Sequence, residues 1–239
     1  MSKKIVIIGP GSIGSSIAKE VKDDGFEPFL VGRNFSALKK LSEEIGCKFA
    51  KADVNNSDEL VKALGECGDD VYGLAYCAGS INLKPLSLAH EIEYIDSFKV
   101  NALGAIIAVK TLIKNIIEQN GSILLFSTVA VKQGFTNHTI VSTAKGAVEA
   151  LTLSLAAEFS PKVRVNCIAP SLTESEMTKS MLSNQNLKKA IESMHPIPKI
   201  GQAEDHAKLA SFLLGQSNNW ITGQVFHVDG GRSSLRKKD

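Results

Sequence analysis

The chain has 239 residues, 44% of them hydrophobic, and its 27 basic and 25 acidic side chains leave a formal net charge of +2. That length suits one large domain with a substantial core, 1–239. Near-balanced charge with no basic stripe gives no sign of a nucleic-acid partner. No apolar run reaches 18 residues, so no membrane span is expected. The charged N-terminus leads straight into a strand-like run, so no secretory signal is expected.

The first element is a short unbroken apolar run over 5–8, the pattern of a strand buried on both faces. A G-x-G-x-x-G follows, Gly9-Pro10-Gly11-Ser12-Ile13-Gly14, and then Ile13, Ile17, Ala18 and Val21 recur at helical spacing. Strand, glycine turn and helix together point to dinucleotide binding. The glycines allow a sharp turn and a close approach to a pyrophosphate held on the free N–H groups of the helix. Alternation then persists. Strands are expected over 27–31, 48–54, 71–77, 122–129, 163–169 and 224–228. Helices are expected at 35–45, around 59–64, over 92–117 with a bend near Gly104, over 143–159 and over 204–214. This predicts an α/β fold, a doubly wound parallel sheet of about seven strands with ligands at the carboxyl ends. The polar stretch from Ser171 to about His195 is long for a connection and reads as a substrate lid at 171–200. Its Met177, Met181, Leu182 and Met194 would either wall an apolar pocket or pack on the body.

Cys47, Cys67, Cys77 and Cys167 are scattered without a C-x-x-C pair, which fits a reducing cytoplasm. Cys77 and Cys167 lie in apolar runs and read as small core residues. The five histidines show no ligand spacing, so no metal site is expected. The tail Arg236-Lys237-Lys238 reads as a solvated, frayed end.

Seven segments together resemble the short-chain dehydrogenase/reductase family over nearly the whole chain. They are the glycine turn, Ala52-Asp53-Val54, Cys77-Ala78-Gly79, Val100-Asn101, 143–148 (TAKGAV), 164–170 (RVNCIAP), and the ending that joins Ile221-Thr222-Gly223-Gln224 to Val228-Asp229-Gly230-Gly231. The spacing is most similar to bacterial 3-oxoacyl reductases. The resemblance implies an NAD(P)-dependent oxidoreductase, cytosolic, acting on a small-molecule or acyl substrate as a homo-tetramer or homo-dimer built on the two long helices. It implies that Gly9, Gly11, Ser12, Ile13 and Gly14 hold the pyrophosphate, in a turn one residue shorter than usual. Strand two ends Val31-Gly32-Arg33-Asn34. An NAD site needs a carboxylate there for the ribose 2′-OH, whereas arginine accommodates a 2′-phosphate, so Arg33 argues for NADP over NAD. A surface arginine packed on the adenine is its other possible use. Asp53 and Val54 resemble the adenine contacts, and Ala78 and Gly79 the backbone along the adenosine ribose. Pro170, Thr173 and Ser175 match the segment at the nicotinamide end, with Ser171 where the family usually has glycine.

The resemblance breaks at the acid/base. The family carries a tyrosine four residues before its lysine; here Lys145 is present and Val141 stands in the tyrosine's place. Thr128 occupies the position of the serine that orients the substrate carbonyl, with Ser127 as the neighbouring candidate. Asn101 matches the asparagine that holds a relay water. His138, seven residues before Lys145, falls where enoyl-acyl-carrier-protein reductases place their tyrosine, and histidine is a competent general acid; a solvated loop histidine near a helix start is its other reading. The run 141–150 also resembles the 2,4-dienoyl-CoA reductases, which lack this tyrosine and reduce a conjugated C=C. A catalytically silent NADP(H)-binding protein, a redox sensor or scaffold subunit, is the competing reading.

Overall fold

The computed structural model describes residues 3–236, so Lys237 and Lys238 of the basic tail lie outside it. In chain order the elements are β1 Lys4–Ile8, α1 Ser12–Asp23, β2 Glu27–Gly32, α2 Phe35–Ile45, β3 Lys48–Lys51, α3 Ser57–Gly65 and β4 Val71–Tyr76. Then come α4 Glu91–Phe98, a π-helical turn Lys99–Leu103, α5 Gly104–Glu118, β5 Ser122–Phe126, α6 Val129–Gln133 and α7 Thr139–Phe159. The chain continues with β6 Arg164–Pro170, α8 Lys179–Leu182, α9 Gln185–Ser193, α10 Ala203–Leu214 and β7 Val225–Val228. All seven strands are parallel, in the order β3-β2-β1-β4-β5-β6-β7.

Strand alternation explains why the apolar runs are unbroken. Val6 and Ile8 of β1 enter one core with Leu60 of α3, Leu112 of α5 and Val148 of α7. Ile5 and Ile7 enter the opposite core with Ile17 of α1, Leu38 of α2 and Leu213 of α10. A sheet covered on both faces has no face for polar residues, so period two disappears from the sequence. The stretch 91–118 and α7 are long and apolar enough to cross a bilayer by composition. Their buried residues instead pack against the sheet. Arg164 at the start of β6 pins the end of α10, donating to Leu213 O and Gly215 O at 2.7 Å each. Ser122 Oγ shares Leu213 O at 3.0 Å and Asn218 Nδ2 shares Gly215 O at 3.3 Å, so the helix end is held from several sides.

Several boundaries differ from the sequence reading. β3 stops at Lys51, because Asp53 turns the chain by accepting from Asn55 N at 2.9 Å. β5 stops at Phe126, because Thr128 caps the short helix α6. α7 begins at Thr139, four residues earlier than expected. The irregularity in the long helix is the π turn just before Gly104. The lid contains two helices, α8 and α9.

Candidate active site

β1 has β2 on one side and β4 on the other; α1, leading from β1 to β2, and α3, leading from β3 to β4, cover opposite faces, so a crevice opens at the carboxyl ends between β1 and β4. The glycine turn lies there. Gly9 has φ of +80°, and a Cβ on it would come within 2.5 Å of Ala78 N. A Cβ on Gly14 would meet Gly9 O at 2.6 Å. The glycines are thus demanded by contact between the turn, Ala78 and α1. Gly11 caps α1 without a side-chain hydrogen bond and faces open space. The first N–H groups of α1, from Ser12 and Ile13, are thereby left for an anion.

Arg33 is exposed just past the end of β2. Asn34 is committed to the fold: its side chain accepts from Ala37 N at 3.1 Å and caps α2. Asp53 and Val54 are half-buried beyond β3, and Asp53 N donates to Glu59 at 3.2 Å. Ala78 and Gly79 follow β4. A Cβ on Gly79 would lie 2.9 Å from Asn101 Oδ1 and 3.3 Å from Lys145 Nζ, so these three residues meet at one point.

Lys145 is the central charge. It is 8% exposed and donates to Phe126 O, the last carbonyl of β5, at 2.8 Å. Burial pulls its pKa down to about 8. Asn101 reaches the same floor because the π turn aims it inward. Its Nδ2 donates to Ser97 O at 2.8 Å and its Oδ1 accepts from Ser80 N at 3.2 Å. Val141, one turn before Lys145, is 4% exposed and carries no exchangeable proton. Thr128 accepts from Ala130 N at 3.3 Å. That cap uses an oxygen lone pair and leaves the O–H proton uncommitted among the described residues. Ser127, the neighbouring hydroxyl, donates to Glu149 at 2.6 Å, so its proton is committed within the protein. His138 sits at the N-cap of α7, half-buried, its ring edge-on to Phe135. Its Nδ1 is 2.7 Å from Thr136 O. A carbonyl only accepts, so Nδ1 carries a proton.

The lid closes from the other side. A cleft of about 510 Å³ lies between Ser12 at the start of α1 and the lid residues Ser175, Lys179, Leu182 and Lys188. Pro170 ends β6. Ser171 Oγ is 2.8 Å from His195 Nε2. Thr173 is buried, its hydroxyl facing the protein and 2.8 Å from His206 Nε2. Ser175 Oγ is 3.1 Å from Thr178 Oγ1. Asp229 accepts from Gly231 N and Ser233 N, both at 2.8 Å, and shapes a C-terminal turn. That turn lays the Arg232 guanidinium 4.7 Å over the Phe135 ring. His195, His206, Arg232 and Phe135 carry no motif in the sequence, and only the lid's position between β6 and α10 could have pointed to the histidines. Of the two cysteines expected in the core, Cys167 is fully buried and Cys77, just beyond β4, is half-buried.

Known proteins resemble this chain in sequence and in fold. A family model described as enoyl-(acyl carrier protein) reductase matches residues 8–233. The 3-oxoacyl-(acyl-carrier-protein) reductase of Bos taurus is 30% identical over 234 residues, covering 93% of this chain and 94% of that protein. The reductase FabG of Chlamydia trachomatis serovar D is 32% identical over 240 positions, covering 95% of each. A short-chain dehydrogenase/reductase structure from Mycobacterium ulcerans superimposes with a TM-score of 0.91 at 26% identity, covering 100% of this chain and 94% of that one. ElxO, solved with NADP bound, gives 0.90 at 26% identity and covers 98% of this chain and 100% of its own.

Proposed function

Because the chain belongs to the short-chain dehydrogenase/reductase family, we propose that it is an NADP-dependent oxidoreductase with a proton donor other than tyrosine. Its substrate is a carbonyl or conjugated C=C compound, small or acyl; the reductases it resembles are named for acyl-carrier-protein substrates. The observation that carries the reading is the meeting of Lys145, Asn101 and Gly79 on the floor of the crevice beside a glycine turn that only glycine can form. Gly9 and Gly14 let the turn pack closely on Ala78 and on itself, while Gly11 faces open space beside the free N–H groups of α1, an arrangement that suits a dinucleotide's diphosphate. When bound, NADPH supplies the hydride.

The chain's own groups do the rest. The start of α1 and its glycines take the diphosphate, and exposed Arg33 pairs with the 2′-phosphate. Asp53 and Val54 flank the adenine, Ala78 and Gly79 follow the adenosine ribose, and Pro170, Thr173 and Ser175 stand at the nicotinamide end. Lys145 holds the nicotinamide ribose. Thr128 donates its O–H to the substrate oxygen, where negative charge develops. His138 is the proton donor. With Nδ1–H given to Thr136 O, the neutral ring offers only a lone pair at Nε2. Donation from Nε2 therefore needs the doubly protonated ring. The lid at 171–200 shapes the acyl pocket. Exposed Ile92, Ile95, Phe98, Leu103 and Ile106 along α4, the π turn and α5 support an assembly of like subunits through this stretch.

Val141 favours one other reading, a protein that binds NADP(H) without turnover. Both are tested by NADPH consumption with a panel of 3-oxoacyl and 2-enoyl thioesters, quinones and cyclic ketones. Turnover that His138→Phe abolishes at unchanged NADPH affinity supports the enzyme. Unchanged rates in that variant remove His138 from the mechanism. Tight NADPH binding with no turnover across the panel selects the silent protein.

A further inference from the structure

Two hydroxyls just past the end of β6 are each bonded to a buried histidine, and the two histidines carry their protons on opposite nitrogens. His195 is 2% exposed. Its Nδ1 lies 2.8 Å from the carbonyl oxygen of Ile191. A carbonyl oxygen cannot donate, so Nδ1 holds a proton and, in the neutral ring, Nε2 holds a lone pair. The Ser171 hydroxyl, 2.8 Å from Nε2, therefore spends its only proton on His195. Two residues on, the polarity reverses. Thr173 donates to Ser171 O at 3.0 Å, so the proton shared with His206 Nε2 at 2.8 Å belongs to the ring. His206 Nδ1 is then a bare lone pair, in keeping with its buried position without a partner. Desolvation, holding the His206 pKa near 4, keeps that ring neutral.

The consequence lies at Ser171, which is half-buried. Ser171 directly follows β6, whose parallel neighbour β5 ends in the carbonyl that holds Lys145, so both stand at the carboxyl edge of the sheet. With its proton directed into the lid, Ser171 offers only lone pairs outward. The N–H groups that a nicotinamide ring itself carries are those of its carboxamide. We infer that His195, a positioning residue in the lid, makes Ser171 an obligate hydrogen-bond acceptor that selects a cofactor bearing a carboxamide N–H. This inference rests on reading the crevice as an NADP(H) site.

Calorimetry with three probes separates the two readings. The probes are NADP, its 3-acetylpyridine analogue, in which a methyl group replaces the amide NH₂, and adenosine 2′,5′-bisphosphate, which lacks the ring. The wild-type chain should prefer NADP over the analogue by about tenfold, the worth of one hydrogen bond. Ser171→Gly and Ser171→Ala should bring that ratio close to one while leaving the bisphosphate affinity unchanged. His195→Gln, whose amide oxygen can reach the same hydroxyl, should keep the preference, and His195→Leu should lose it. A wild-type ratio near one, or an undiminished ratio in Ser171→Gly with bisphosphate binding intact, overturns the inference. Equal ratios in the two His195 variants remove His195 from it. Failure of the wild-type chain to bind NADP and the bisphosphate alike overturns the cofactor reading instead.

Discussion

The two walls of the crevice are built by different means. On the glycine-turn side, the shape is made by backbone: a positive φ at Gly9, close approach at Gly14 and Gly79, and uncapped N–H groups at the start of α1. On the lid side, it is made by side chains from distant segments meeting in pairs: Ser171 with His195, Thr173 with His206, Arg232 with Phe135. Backbone-made walls are rigid and intolerant of any added atom. Side-chain-made walls can be rebuilt pair by pair, which is where substrate choice is free to vary within one fold.

The largest effect should come from breaking the backbone wall. Gly9→Ala adds a Cβ against Ala78 N at a φ of +80°. Overpacking and the left-handed conformation together should cost about 2–4 kcal/mol, lowering Tm by roughly 5–15 °C. NADPH binding should be lost in the same variant, and calorimetry beside a thermal melt checks both. Retained binding at an unchanged Tm would remove the distinction between the walls.

Lys145 sharpens the comparison because stability and function oppose each other there. Its pKa lies near 8, below the usual 10.5, so the unfolded chain binds more protons between those values. Wild-type stability should therefore rise with pH across that window, and below it the full burial penalty remains. Lys145→Met should flatten the rise and lift Tm at neutral pH by about 3–8 °C while weakening NADPH binding. Melts from pH 6 to 11 read this directly.

Arg33→Ala acts on a charge at the edge of the backbone wall. Loss of a charge-assisted contact should weaken NADPH about 10- to 100-fold and leave NADH unchanged, as measured by calorimetry. The smallest effect belongs to the lid side. Phe135→Ala removes the ring beneath Arg232, a contact worth about 0.5–1 kcal/mol. It should lower Tm by about 1–4 °C and alter KM for an acyl substrate more than affinity for NADPH.

This asymmetry also decides what could be read from the residues alone. Apolar runs, the glycine turn and the helix at Phe35–Ile45 are local patterns, and the structure keeps them. The short α6 was hidden because Val129, Ala130 and Val131 continue the strand-like run of β5 past the Thr128 cap. The early start of α7 was hidden by Thr139, Ile140 and Val141, β-branched residues that favour strands unless packing overrides them. α9 carries a short stripe, Leu187, Ala190 and Ile191 at helical spacing, but it is only about two and a half turns long and buries no residue, so it reads as part of the polar connection. Lys145, Asn101 and Thr128 stand out in the residues as matches to the family's pattern, and the fold brings Lys145 and Asn101 together beside Gly79. The inward hydroxyl of Thr173, the capping duty of Asn34 and the tautomers of His195 and His206 were not legible in the residues, because each depends on a partner supplied by the fold.

The π turn at Lys99–Leu103 has a consequence for how this site can change. Such a turn accommodates one more residue than an α-helical turn over the same span. Removing a single residue from it would let α4 run into α5 as one regular helix, with better local geometry. The same deletion would remove the widened turn that aims Asn101 at the floor it shares with Gly79 and Lys145. The smoother helix would be the poorer protein, and the site survives only while that surplus residue is retained.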